Sequence, residues 1–123
     1  MNAQEIVIFF LKLQAQLQIL HWQTTKHARH LAYGDAYNAL NPLIDSFIEI
    51  YQGKKGRIYF EDNTQNITLY NIDDNELEGY LDNCSSTITS ISELLDEDDT
   101  DLLNLRDEIL AEINKLKYLV TLE

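Results

Sequence analysis

Residues 21–53 read HWQTTKHARHLAYGDAYNALNPLIDSFIEIYQG. The stretch holds all three histidines of the chain, its single Trp and its single Pro. Tyr33, Tyr37, Leu40, Ile44, Phe47 and Tyr51 recur three and four residues apart, the spacing of one helix face. The pattern predicts a helix over 28–52, with histidines where it opens and Asp45 and Glu49 near its close. Gly53, followed by Lys-Lys-Gly, is the expected stop. Pro42 interrupts the pattern. An interior Pro costs about 3 kcal/mol and kinks a helix, whereas Asn41-Pro42 would also suit the start of a separate helix.

Three more segments carry helical periodicity. Over 3–22 the stripe is Ile6, Phe9, Phe10, Leu13, Leu17 and Leu20. Val7, Leu11 and Ile19 widen it, and a helix apolar on more than one side is buried on more than one side. This points to packing within a bundle and against a second subunit. Over 74–95 the stripe is Leu77, Leu81, Cys84, Ile88, Ile91 and Leu95. Over 100–120 it is Leu102, Leu105, Ile109, Ile113, Leu116 and Val120. Asp99 or Thr100 caps the last helix, and the acidic run around it suits a helix N-terminus. Helices 1 and 2, and 3 and 4, are joined by short loops, which make antiparallel neighbours. Residues 54–73 are long enough for a crossover. Within them RIYF and ITLYNI flank EDNTQN and suggest a small hairpin. The expected fold is an all-α four-helix bundle over 1–123, ferritin-like in order, with one long crossover between helices 2 and 3.

The net charge of −12 is divided unevenly. Residues 1–57 hold six Lys/Arg against four Asp/Glu, and residues 58–123 hold three against seventeen. Phosphate contacts dominate affinity for DNA, so an acidic chain without a basic tail is not expected to bind it. Lys54, Lys55 and Arg57 read as a solvated turn. A single Cys excludes a disulfide framework, and Cys84 reads as a buried thiol. The longest apolar run, Ile6–Leu11, is too short to span a bilayer, and the N-terminus lacks a basic leader. A cytoplasmic protein is expected.

His21, His27, His30, Asp45 and Glu49 are the candidate metal ligands. Asp45 and Glu49 are four residues apart, which puts their carboxylates on one helix face about 6 Å apart. Mixed imidazole and carboxylate ligation suits iron, zinc or manganese. His30 and Asp45 are separated by fifteen residues, about 22 Å along a continuous helix. They cannot share an ion within one chain. His21 and His30 can meet across the short loop. The two ends either serve separate purposes or meet between copies. A two-fold axis with antiparallel second helices would bring His21 and His30 of one copy to Asp45 and Glu49 of another, twice per dimer. His27 is expected to face solvent, and Trp22 to be a core or interface aromatic.

This constellation resembles the Dps-like miniferritins: His21-Trp22 at the end of helix 1, then His30, Tyr37, Asp45 and Glu49. The resemblance covers residues 21–53 by motif and the remainder by helix layout. It implies a ferroxidase centre between two subunits, with His21 and His30 from one and Asp45 and Glu49 from the other. Iron(II) would be oxidised there by oxygen or peroxide and stored as ferric mineral in a homo-oligomeric, usually twelve-subunit, cage. Trp22 would be a redox neighbour of the iron. The stretch is also similar to short phage-type proteins carrying HWQT and LID-x-F-x-E-x-Y-x-G. Against the miniferritin pattern, the loop after His21 is shorter, Gly34 stands where an acidic residue is frequent, Pro42 falls inside helix 2, and no basic tail follows. No histidine follows residue 30, so an intrachain di-iron site with Glu-x-x-His motifs is excluded. Two functions compete: an iron-binding oxidase with an intersubunit centre, and a ferritin-like oligomeric scaffold or binding protein without catalysis, of viral type.

Overall fold

The computed structural model describes residues 1–122. Four α-helices follow in order: α1 (Ala3–Gln23), α2 (His27–Lys55), α3 (Leu77–Ser90) and α4 (Thr100–Leu119), with a 3-10 turn at Ile91–Leu94. Asn2 caps α1 by accepting the Glu5 N–H at 2.9 Å. That bond satisfies one of the first-turn amides a helix cannot pair internally. Ile6, Phe10, Leu13, Leu17 and Leu20 of α1 are buried against Ala32, Tyr33, Ala36, Leu40, Ile44 and Phe47 of α2 and the inner faces of α3 and α4. Phe10 meets Phe47 edge-on, with ring centroids 5.7 Å apart. Cys84 is buried, and burial pushes its thiol up to about 11, so it stays protonated at neutral pH.

Polar contacts at the two ends fix the helix directions. Arg29, in the first turn of α2, donates to the Val120 carbonyl at the end of α4 and to Asp74 at 2.7 Å. Lys54, in the last turn of α2, pairs with Asp99 and Asp101 where α4 begins. So α2 and α4 run antiparallel. Residues 56–76 carry the chain from one end to the other along α1, because Glu61 bonds Gln4 near its start and Asn71 bonds Gln23 at its end. Two antiparallel pairs joined by one lengthwise crossover is the ferritin-like connectivity.

The crossover departs from the expected hairpin. Among the described residues it contains no strand. Glutamine side chains hold it instead. Gln16, fully buried, donates to the Tyr70 carbonyl at 2.8 Å and accepts the Tyr70 N–H at 3.0 Å. Its amide thereby stands in for a paired strand. Gln52 accepts the Ile58 N–H, and Lys12 lies over the Tyr70 ring. Replacing Gln16 with Ala strips both partners from Tyr70. The expected loss is about 1–3 kcal/mol in urea unfolding, with faster exchange of the Tyr70 amide.

Other boundaries moved for local reasons. Helix α2 passes through Pro42 unbroken, with Pro42 exposed, so no separate helix begins there. Its end is Gly56, whose positive φ of 95° suits glycine, and not Gly53. Helix α3 is shorter than its apolar stripe. Thr87, Thr89, Ser90 and Ser92 turn their hydroxyls back onto carbonyls of the preceding turn, competing with the helical ladder where it tightens into the 3-10 turn.

Lys54 and Lys55 are exposed, but they close helix α2 instead of forming a turn, and both are ion-paired. Asp99 is buried, with one carboxylate oxygen 2.8 Å from Lys54 Nζ and the other 3.0 Å from Lys55 Nζ and 2.8 Å from the Asp96 nitrogen. The Lys54 ammonium first, then the Asp96 N–H and Lys55, hold this carboxyl well below the usual carboxylate range. A depressed folded value means its stabilisation is complete above the ordinary Asp value, about 3.9, and is lost as pH falls through the folded one. Asp99→Asn should lower the thermal midpoint at pH 7 and flatten the acid limb of stability below about pH 4. An unchanged acid limb would show that other carboxylates govern it.

Candidate metal centre

The candidate ligands fall at two places, the junction of α1 with α2 and a later part of α2. His21, in the last turn of α1, and His30, in the first turns of α2, stack with ring centroids 3.8 Å apart and planes 16° from parallel. Their backbone bonds are reciprocal. His21 Nδ1 lies 2.7 Å from the His30 carbonyl, and His30 Nδ1 lies 2.8 Å from the His21 carbonyl. A carbonyl only accepts, so each Nδ1 carries a proton. In the neutral rings each Nε2 is therefore a bare lone pair. This is how metal-ligating imidazoles are oriented by their outer partners. The His21 carbonyl lies in the last turn of α1, where carbonyls lack helical partners, so His30 also caps α1.

His27 is exposed, as expected, and its ring lies 6.4 Å from that of His30. Trp22 is 68% exposed, so it is not a core aromatic of the single chain. It borders a surface hollow of about 320 Å³ with Ile19, Leu69 and Tyr70.

Asp45 and Glu49 lie further along α2, on its exposed side. Their apolar sequence neighbours point inward instead: Ile44 and Phe47 are buried. The two carboxylates are thus not enclosed in apolar surroundings, although apolar residues flank them in sequence. Neither makes an ion pair among the described residues. Asp45 edges a groove of about 500 Å³ between α1 and α2, with Val7, Leu11, Pro42 and Ile48. Leu11 is 50% exposed there, on the flank of α1 expected to meet another surface. The histidine pair and the carboxylate pair are not brought together. Among the described residues no three His, Cys, Asp or Glu side chains converge as a metal site within one chain.

Gly34 was read from sequence as a missing acid. It is also a space. A Cβ at this position would stand 3.0 Å from His21 Cε1 and 3.2 Å from His21 Nδ1. The buried Gln16 and the reciprocal histidine bonds were not anticipated. A polar residue on an apolar face reads as exposed, and hydrogen bonds to backbone leave no trace in residue spacing.

The sequence profile of a family of unknown function, DUF5856, matches residues 21–120. The chain belongs to this family. The DUF5856 match opens on His21 and takes in His30, Asp45 and Glu49. An uncharacterized 14.6 kDa protein of Enterobacteria phage T4, from the mobD-ri intergenic region, is 38% identical over 58 residues. That alignment covers 47% of this chain and 45% of the phage protein, so the chain spans about half the length of the curated relative it matches. The phage relative agrees with the resemblance to short phage-type proteins. Neither match is to a named miniferritin. No solved structure matches the DUF5856 chain. Among the described residues no helix is long and apolar enough to cross a membrane.

Proposed function

We propose that this chain is the subunit of a homo-oligomer that takes iron(II) as substrate at centres shared between two copies. His21 and His30 of one copy would supply neutral nitrogens, and Asp45 and Glu49 of the other would supply anionic oxygens. The observation that carries this reading is the histidine pair. Reciprocal Nδ1–H bonds leave two Nε2 lone pairs bare, and about 22 Å along α2 from His30 begins a pair of carboxylates, Asp45 and Glu49, with no cation partner among the described residues. Imidazole and carboxylate together suit a borderline divalent ion, and anionic oxygen favours the iron(III) product. Zinc or manganese would fit the same donors. Oxygen or peroxide would take one electron from each iron(II), and Trp22, next to His21 in sequence, would relay one. A dimer is the building block, and a closed cage would repeat it.

The test is anaerobic titration with iron(II), followed by peroxide. Saturable binding near one equivalent or more per centre, then a ferric absorbance, supports the proposal. Absence of saturable binding, or a monomer by sedimentation, defeats it. A second reading is favoured by Gly34, which offers no carboxylate beside the histidines, and by the exposure of Asp45 and Glu49. On it the protein is an oligomeric scaffold that has lost turnover, and it assembles without oxidising iron.

A further inference from the structure

We infer that Gly34 is a positioning residue for His21. Its missing side chain makes the slot in which the His21 ring lies, so that the ring reaches the His30 carbonyl. The inference deepens the metal-binding reading and rests on it only for the purpose of the clasp. The clasp itself belongs to the metal-free chain.

Glycine in the interior of a helix needs a reason, because it is less favourable than Ala there. Backbone conformation gives none: Gly56 is the only glycine with positive φ, so Gly34 has no need of a left-handed φ. Contact does give one. A Cβ on Gly34 would press on His21 Cε1 and Nδ1, the edge of the ring that makes the 2.7 Å bond to His30 O. Gly53 in the same helix and Gly79 in α3 have nothing within 4 Å of the equivalent position. Of the three helical glycines, Gly34 alone has an imidazole against the place a Cβ would occupy.

The consequence is chemical as well as steric. While the slot is open, Nδ1–H of His21 is tied to a carbonyl and its lone pair is confined to Nε2. An alanine would force the ring to give way by a few tenths of an ångström, straining the bond to its acceptor and loosening the hold on its tautomer. An acidic side chain would meet the same ring edge. A side chain at position 34 and the histidine clasp thus compete for the same space. The half-site is then two neutral nitrogens, which prefer zinc, cobalt or iron(II) to magnesium or calcium.

The experiment compares Gly34→Ala with Gly53→Ala, by thermal unfolding and by long-range nitrogen–proton NMR of the imidazoles without metal. Gly53→Ala should raise the midpoint, the ordinary gain from Ala in a helix. Gly34→Ala should not raise it, and in the His21→Ala background it should regain that gain. The parent should show His21 and His30 with Nδ1 protonated and Nε2 bare. In Gly34→Ala the His21 pattern should change to tautomeric averaging. Equal gains from the two alanines, or an unchanged His21 spectrum in Gly34→Ala, would overturn the inference. Averaging in the parent would overturn it too. A locked parent spectrum with no iron(II) binding would leave the slot standing and remove the metal reading.

Discussion

His30→Ala and Glu49→Gln are each expected to abolish the proposed saturable iron(II) binding, while the far-ultraviolet circular dichroism stays that of the parent. At the proposed centre each substitution would remove one of four ligands, and the expected loss of affinity is at least about 100-fold, above what loss of an outer partner costs. The structural side effects are small and separable. Glu49 is exposed and unpaired among the described residues, so its replacement should alter stability by no more than about 0.5 kcal/mol. His30 also caps the His21 carbonyl, and removing that bond costs about 1 kcal/mol. His27→Ala is the control. His27 is exposed and has no backbone clasp among the described residues, so its loss should leave binding unchanged.

Phe47→Ala is expected to bring the chain close to unfolding. Phe47 is 1% exposed and packs edge-on against Phe10 and near Tyr51. Deleting a buried Phe ring costs about 3–5 kcal/mol, and a domain's whole stability is about 5–15 kcal/mol. For a chain of this length the thermal midpoint should fall by roughly 10–20 °C. Phe47 lies between Asp45 and Glu49, so the same ring that anchors α2 in the core turns both carboxylates outward. Ile48→Ala, at a half-buried neighbour, should cost much less. A small loss at Phe47 would show that the inner face of α2 is not packed as described.

Much of the bundle was legible because burial has a period. Leu81, Cys84, Ile88 and Ile91 alternate at three and four residues, and all are buried. The crossover was legible as a length but not as a conformation. RIYF and ITLYNI have strand composition, yet the backbone partner of Tyr70 is the Gln16 side chain, a long-range pairing that no local pattern encodes. The end of α2 was misplaced because Gly53 and Gly56 are equally good stops on paper. Only Gly56 takes up the positive φ, and Lys54 and Lys55 are drawn into the helix by Asp99 and Asp101.

The candidate site was half legible. The helix rise alone separates the histidines from the carboxylates, and the structure keeps them apart. The tautomer of the histidines was not legible, since it is set by two carbonyls that come close only when α1 and α2 fold back on each other. The outward setting of Asp45 and Glu49 was not legible either, for the opposite reason. Ile44 and Phe47 are their neighbours in sequence but face the other way in space.

The most direct test mixes two defective chains. Equimolar His30→Ala and Glu49→Ala chains are unfolded together, refolded, and titrated with iron(II). In a dimer of one kind, every shared centre carries the defect. In a mixed dimer one centre carries both defects and the other carries none. Random pairing should then restore about a quarter of the parent's binding capacity. No capacity beyond that of the two variants refolded separately would contradict a centre built from the histidines of one copy and the carboxylates of another.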